Sequence, residues 1–518
     1  MFCTFRLGKF VKDSRPNTKF LMKRLLLFLL ILFLGELPVC GQLEQSLRLE
    51  IKTNPNGQER YDVIPLGGDG VLLTTKKEEY FGDAAETWTF VHHNPDLKET
   101  WRTSHAVDFG YRAVRYFQSK GVLYWLFAEA ETDHIQILRI DLANGETDLT
   151  KGRTLTQLDV PHFKMLGNTA YLGGIYHGRP VALAFSLFDR SVKVLPGLYA
   201  NNAEINNLEI DEANQRVNVV VYTFKKSKCQ FEIKTYSSDH KLLKSIKLNN
   251  ERNSLISGKI IPINAENALL VGNYSQGCTQ YSQGLYFSKL NDHETATMHY
   301  VEFSELENFF NYLKPKRKQR MLERIGKRKE IGKEIKLRYR MLVHNILKTN
   351  NEFVLVAEVF YPQYRISNNI NDIGVGISRT FNVKNGDGYR YTHALVCGFN
   401  AEGKLLWDNC FGIKDLASND LMEMVQVSQQ GDKLVLAYPQ DGEIHTEVIE
   451  RNKVVKTPEN FKIKTNSDAE KILYNEDAML TAWYDTYFLA YGIQKISSDG
   501  NRTREVFYLN KIHYKVVE

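Results

Sequence analysis

From Tyr61 onward the chain alternates apolar and polar positions in short runs that recur in one order. An alternating run is followed by a tight turn, a second and more continuously apolar run, a loop, and then a third and a fourth run. The first unit reads YDVIPL, the turn GGDG, VLLTTKK, then ETWTFVHH and KETWRTSH across Asn94-Pro95-Asp96. The second reads YRAVRYFQS, Lys120-Gly121, VLYWLFAE, then HIQILRID closing on Asn144-Gly145. The order returns at His162, Glu204, Ile256, Met341, Leu421 and Glu470. The repeat length, roughly 40 to 50 residues apart from insertions, is the period of four-stranded propeller blades.

Each such sheet carries apolar residues on both faces, most of all in its second strand, and cannot bury them alone. Neighbouring sheets must cover them. A linear β-solenoid would have shorter and more uniform repeats, and paired sandwiches would not sustain one four-strand order so many times. The expected fold is all-β: a β-propeller of seven or eight four-stranded blades with a basic α-helical insertion between blades. Blade number stays open because QSLRLEIK, ahead of the first unit, could supply a strand that closes the ring with the last one.

The segment Met22 to Gln42 has the layout of an export signal. A basic pair, Lys23-Arg24, precedes an apolar run from Leu25 to Leu34, and Val39 and Gly41 stand at the small-residue positions of a cleavage site before Gln42. Glu36 ends the apolar run well short of the ~20 residues that a membrane span needs, which makes a retained anchor the weaker reading. The polar stretch before Met22 reads as an over-extended start. Lipidation would fall on Cys40, which Val39 fits poorly. The expected organisation is a discarded segment 1–41 and one propeller domain 42–518 carrying an insertion at 304–340. The expected location is exported: periplasmic, outer-membrane-associated or secreted.

Removing the leader changes the charge. Of the formal net charge of +6, residues 1–41 hold +5. Between Lys314 and Arg340 there are thirteen Lys and Arg against three Glu, so the rest of the mature chain is acidic. The basic character is local, and with export it argues against nucleic acid. The basic segment opens on Ser304-x-x-Glu307, the spacing of a capping box, so a helix is expected to begin there and to resume after Pro315. Met321, Ile325, Ile335, Tyr339 and Leu342 would form one apolar stripe, interrupted by Gly326 and Gly332. Lys316, Arg317, Lys318, Arg320, Arg324, Lys327 and Arg328 would then face water. They read either as a surface for an anionic partner (phospholipid headgroups, an acidic polysaccharide or an acidic protein patch) or as a solvated face held on the acidic body by charge complementarity.

A loop of about 27 residues between Pro362 and Gly388 is unusually long. By strand count it emerges on the same end as the insertion. Tyr361, Tyr364, Arg365, Tyr389, Arg390, Tyr391 and His393 flank it, a set suited to sugars, peptides or anions unless its rings turn into the sheet interface. Cys229 and Cys278 fall near that end in adjacent units and can bridge. Cys397 and Cys410 flank a hairpin in a register that does not pair them.

That hairpin, Phe399-Asn-Ala-Glu-Gly-Lys-Leu-Leu-Trp-Asp408, resembles the outer hairpin of quinoprotein-type and related bacterial exported propeller repeats. The resemblance implies the propeller fold. Those families repeat the Gly-and-Trp signature in most blades and this chain has it once, so no cofactor is carried over. No zinc-protease, hydrolase-elbow, phosphate-loop or calcium-loop motif is present, and His92-His93 would need a distant third ligand to hold a metal. A site assembled from inner-strand residues such as Arg112, Arg115, His162 and His344 would leave no local motif. Two functions stay open: a non-catalytic binding protein, or a propeller enzyme acting on a carbohydrate or peptide at the central channel.

Overall fold

Second strands such as Val122–Glu129 and Phe353–Pro362 bury runs of consecutive residues, so apolar side chains leave both faces of the sheet and each face needs a neighbour. The computed structural model describes residues 42–53, 59–77, 86–225, 228–248, 253–264, 267–291, 297–349, 352–363, 388–498 and 502–515. Its backbone pairing sorts the strands into eight sheets. Blade 1 comprises Arg60–Pro65, Val71–Lys77, Glu86–His93 and Glu99–Val107, from inner to outer strand. Blades 2 to 7 follow in the same order over 111–153, 159–194, 203–248, 253–302, 340–412 and 426–462. Blade 8 takes Lys471–Ala482, Tyr487–Ser498 and Arg502–Lys515 from the end of the chain, and its outer strand is Gln42–Lys52. The protein is an eight-bladed β-propeller.

The core lies between blades rather than within them. Leu72 and Phe90 of blade 1 pack with Leu123, Trp125 and Phe127 of blade 2. Val63, Val71 and Leu73 on the other face of blade 1 pack with Leu489, Phe507 and Leu509 of blade 8. The Asn144-Gly145 turn of blade 2 shows how closely neighbours meet. Gly145 has a φ of +77°, and a Cβ there would lie 2.5 Å from the ring of Trp101 in blade 1.

Polar groups complete the closure. Arg48, on the Gln42–Lys52 strand, donates to Glu50 (2.8 Å) and to Gln494 (2.8 Å) in the second strand of blade 8. Arg504 on the third strand donates to Glu50 (2.9 Å) and to Glu470 (2.5 Å). Burial alone would push the Glu50 carboxyl up, but Arg504 and Arg48 outweigh it and hold it below the usual range. This contribution is therefore present at neutral pH and is lost as the pH falls through the lowered folded value. Blade 8 meets blade 1 through Lys511. Its ammonium lies 4.3 Å from the ring centre of Tyr487 and 5.4 Å from that of Trp483, and donates to the Tyr484 hydroxyl (2.7 Å) and the Pro95 carbonyl (2.9 Å).

The unit expected from Leu421 starts later, because its strand is Gln426–Gln430. The amides of Met424 and Val425 donate to the Glu358 carboxylate at 2.8 and 2.7 Å, which removes them from any ladder. In blade 6 the inner strand is split into Arg340–Val343 and Leu347–Lys348.

Lys511→Met should lower the unfolding free energy in a urea titration by about 2 kcal/mol, because a charged donor is lost from a carbonyl and a hydroxyl in a buried junction. Arg102→Ala, which breaks the exposed pair with Glu99, should change it by less than about 1 kcal/mol.

Candidate functional site

The insertion between blades 5 and 6 begins as an aromatic strap. Phe303, Leu306, Phe309 and Phe310 are buried, with Phe303 and Phe309 stacked at 4.4 Å. The helix expected from Ser304 does not form. The amides of Glu307 (3.0 Å) and Asn308 (2.7 Å) donate to the Asp408 carboxylate on the outer strand of blade 6. Ser304 does not cap either; its hydroxyl donates to Glu302 at 2.9 Å. With its amides taken by another element, the strap cannot start an α-helix.

Helix α1 runs over Pro315–Glu330, with proline where a first-turn amide has no partner anyway. Its end is set by Gly332 at a φ of +64°: Lys333 N–H donates to the Arg328 carbonyl (2.9 Å) and Gly332 N–H to that of Lys329 (3.0 Å). This pair of bonds is a Schellman stop. The expected stripe is corrected accordingly. Ile325 is the buried residue of α1, whereas Ile335, Tyr339 and Leu342 lie beyond the stop on a non-helical arm and the next strand.

That arm is clamped to the loop between the second and third strands of blade 5. The Gln283 side chain donates to the Ile335 carbonyl and accepts from Leu337 N–H at 3.1 Å, and Ser282 N–H donates to the Tyr339 carbonyl at 2.7 Å. A Cys229–Cys278 disulfide, with Cα atoms 5.2 Å apart, ties the same loop to blade 4. Tyr312 completes the anchorage, stacking on His393 at 3.8 Å with its hydroxyl 3.1 Å from that of Tyr339.

On this base Lys316, Arg317, Arg320, Arg324, Lys327 and Arg328 are exposed, and Lys318 is half-buried. Among the described residues none of the seven forms an ion pair. Lys318 donates to Asn311, and Arg328 to the Glu334 carbonyl at 3.4 Å. The acidic body therefore does not neutralise the helix by direct contact with described carboxylates.

The Tyr/Arg set divides. Tyr361 is 46% exposed, Tyr389 is half-buried, and Arg390 pairs with Asp415. Tyr364 and Arg365 lie outside the described residues. Tyr391 and His393 are buried, which corrects their expected presentation to a ligand. The Tyr391 hydroxyl donates to the Met422 carbonyl at 2.7 Å. A register shift leaves Thr392 unpaired between Tyr391 and His393, so the two rings leave opposite faces of the sheet. Simple alternation would have put them on one face. His393 Nδ1 is 2.9 Å from the Thr392 hydroxyl, Nε2 has no hydrogen-bond partner among the described residues, and burial pushes its pKa down to about 3.

Of the inner-strand candidates, Arg112 is exposed, Arg115 donates to the Pro161 carbonyl at 3.4 Å, and His162 Nε2 lies 3.3 Å from the Ile205 carbonyl. His344 Nε2 is 2.9 Å from Glu358, whose second carboxylate oxygen has no partner among the described residues. Burial opposes the charged imidazole, but the Glu358 bond and the Glu423 and Glu358 charges prevail and raise its pKa. Both side chains are enclosed, His344 at 8% exposure and Glu358 at 0%. His92 stacks on Trp101 at 5.3 Å in the core, and no three metal-ligating groups converge among the described residues.

Sequence reasoning missed the anchors Asp408, Gln283 and Glu358. Asp408 closes the recognised hairpin, but each of the three acts on a segment from another part of the chain and leaves no local pattern.

No family model and no curated protein matches the chain. Among solved structures it is similar to the Dos1 propeller at 10% identity and a TM-score of 0.39, with 91% of this chain and 95% of that chain covered. It is similar to the polysaccharide lyase Uly1 at 8% identity and a TM-score of 0.39, with 78% and 90% covered. It is also similar to the tricorn protease at 10% identity and a TM-score of 0.37, with 81% and 36% covered.

Gln283→Leu removes both bonds to the arm and should cost about 1–3 kcal/mol, with proteolysis of 331–339 accelerated. Glu447, buried on the third strand of blade 7, has a pKa that burial pushes up to about 7 from 4.5. Its contribution to stability is intact below the unfolded value and is lost as the pH rises through the folded one. Glu447→Gln should therefore stabilise the protein at about pH 8 by up to about 3 kcal/mol and lose that advantage near about pH 4, read from thermal midpoints.

Proposed function

We propose that the chain is an exported, non-catalytic binding protein that docks onto an anionic partner through its basic insertion. It would act in the periplasm, at the outer membrane or outside the cell. One observation carries the reading: a helix rich in Lys and Arg stands on a base built from three blades and a disulfide, and its cations make no ion pair with a described residue. A decorative helix would be expected to settle its charge on the acidic body, since each pair formed there would offset part of the mutual repulsion of the cations. Tyr361 at the neighbouring strand end adds exposed ring area to the same end of the propeller. The enzyme reading has less support, because its best acid–base pair, His344–Glu358, is enclosed and Glu358 is also committed to two backbone amides.

Retention of the protein on immobilised dextran sulfate, measured against salt, tests the docking reading. The comparison is a variant with Lys316, Arg317, Arg320, Arg324, Lys327 and Arg328 all changed to Gln, which should fold normally because these side chains are exposed. Wild type should be retained and elute with salt, and the variant should pass through. Equal elution of both would overturn the reading. N-terminal sequencing of the protein accumulated by its host should begin at Gln42 if the chain is exported as proposed.

A further inference from the structure

Charge is only half of what α1 presents. Leu322 in its middle is 44% exposed and Ile331 at its end is 64% exposed. At the same end of the propeller, Tyr281 in the blade 5 loop is 41% exposed and lies under the Arg340 guanidinium at 5.5 Å, and Tyr361 ends the second strand of blade 6. We infer that this end binds the surface of an anionic phospholipid bilayer, with Arg317, Arg320, Arg324 and Lys327 at the headgroups and Ile331, which helical periodicity places on the same side of α1, entering the acyl boundary; Leu322 falls half a turn away. The inference rests on the docking reading and specifies its partner.

Three properties of the surface select a bilayer over other polyanions. An acidic polysaccharide offers nothing that would favour leaving Ile331 bare among the cations, whereas a membrane interface rewards charge and an apolar tip on one face. Second, the cations do not converge. They spread along a helix roughly 24 Å long and onto Lys333, Lys336 and Arg338 of the return arm, which suits a laterally extended, fluid array of charges better than a shaped acidic patch. Third, the element is built to lie on a surface and not to cross it. It has sixteen residues, eight of them Lys or Arg, and no helix among the described residues is long and apolar enough to span.

The physical scheme has two stages. Long-range attraction acts within about 8–10 Å of the headgroups and is screened by salt. Burial of the Ile331 side chain is then short-range and insensitive to salt. The rigid base matters here, because a helix already held in place loses little conformational freedom on docking.

The test is flotation of the protein, purified as its host accumulates it, with vesicles of phosphatidylcholine alone or mixed with phosphatidylglycerol. The wild type should float only with the mixed vesicles. The quadruple variant Lys316→Gln, Arg317→Gln, Arg320→Gln, Arg324→Gln should partition more weakly by on the order of a hundredfold or more. Ile331→Ser should bind at low salt but be released by salt that leaves wild type bound. Both variants are checked for an unchanged thermal midpoint. Retention on dextran sulfate without flotation leaves the docking reading standing and overturns the bilayer. Failure in both assays overturns both. Flotation that ignores phosphatidylglycerol, or that neither variant weakens, overturns the assignment to this surface.

Discussion

Pairing of the Gln42–Lys52 strand with the third strand of blade 8 is the constraint on which the other contacts depend. Apolar clusters shared by neighbouring blades run from blade 8 through blade 1 to blade 7, so opening the ring at any of these junctions would leave two sheets with bare apolar faces. Joining the two ends of the folded chain in one sheet means that the ring cannot open within blade 8 without breaking backbone pairing. The Arg48, Glu50 and Arg504 network and the ring-lined Lys511 junction reinforce this seam with polar groups that have geometric requirements. They favour one register of closure, which hydrophobic burial alone would specify poorly.

The candidate functional face depends on the ring in turn. The strap needs Asp408 of blade 6, the return arm needs Gln283 of blade 5, and the loop bearing Gln283 is tied to blade 4 through Cys278. A cationic helix has little reason to stay in one place, since its charges repel each other and its single buried side chain, Ile325, is a small anchor. The flanking segments supply the anchorage. They use buried aromatic rings and saturated hydrogen bonds and leave the cations to solvent.

His393 and Glu447, both displaced from their ordinary behaviour, are enclosed by packed side chains on third strands. Their displacement comes from burial without a charged partner, as a structural core produces. His344 differs in having carboxylates nearby, yet Glu358 is also the group that turns the chain into blade 7. The binding reading therefore rests on exposed chemistry and does not depend on reactive groups in the interior.

The amino-acid sequence by itself determined the repeat, the placement of the insertion and the concentration of positive charge in it. These follow from local periodicity and composition, which a linear reading can see. It also brought Cys229 and Cys278 to one end of the ring, because strand counting assigns ends. Only the tertiary structure decided that Ser304 starts no helix, that Tyr391 and His393 turn inward on opposite faces, and that the strand of blade 7 begins after Val425. In each case the deciding partner comes from elsewhere in the chain or from a single unpaired residue: the Asp408 carboxylate, the shift at Thr392 and the Glu358 carboxylate. Periodicity registers which residues are apolar, whereas a hydrogen bond across about 66 or 100 positions depends on two segments meeting, and no local pattern encodes that.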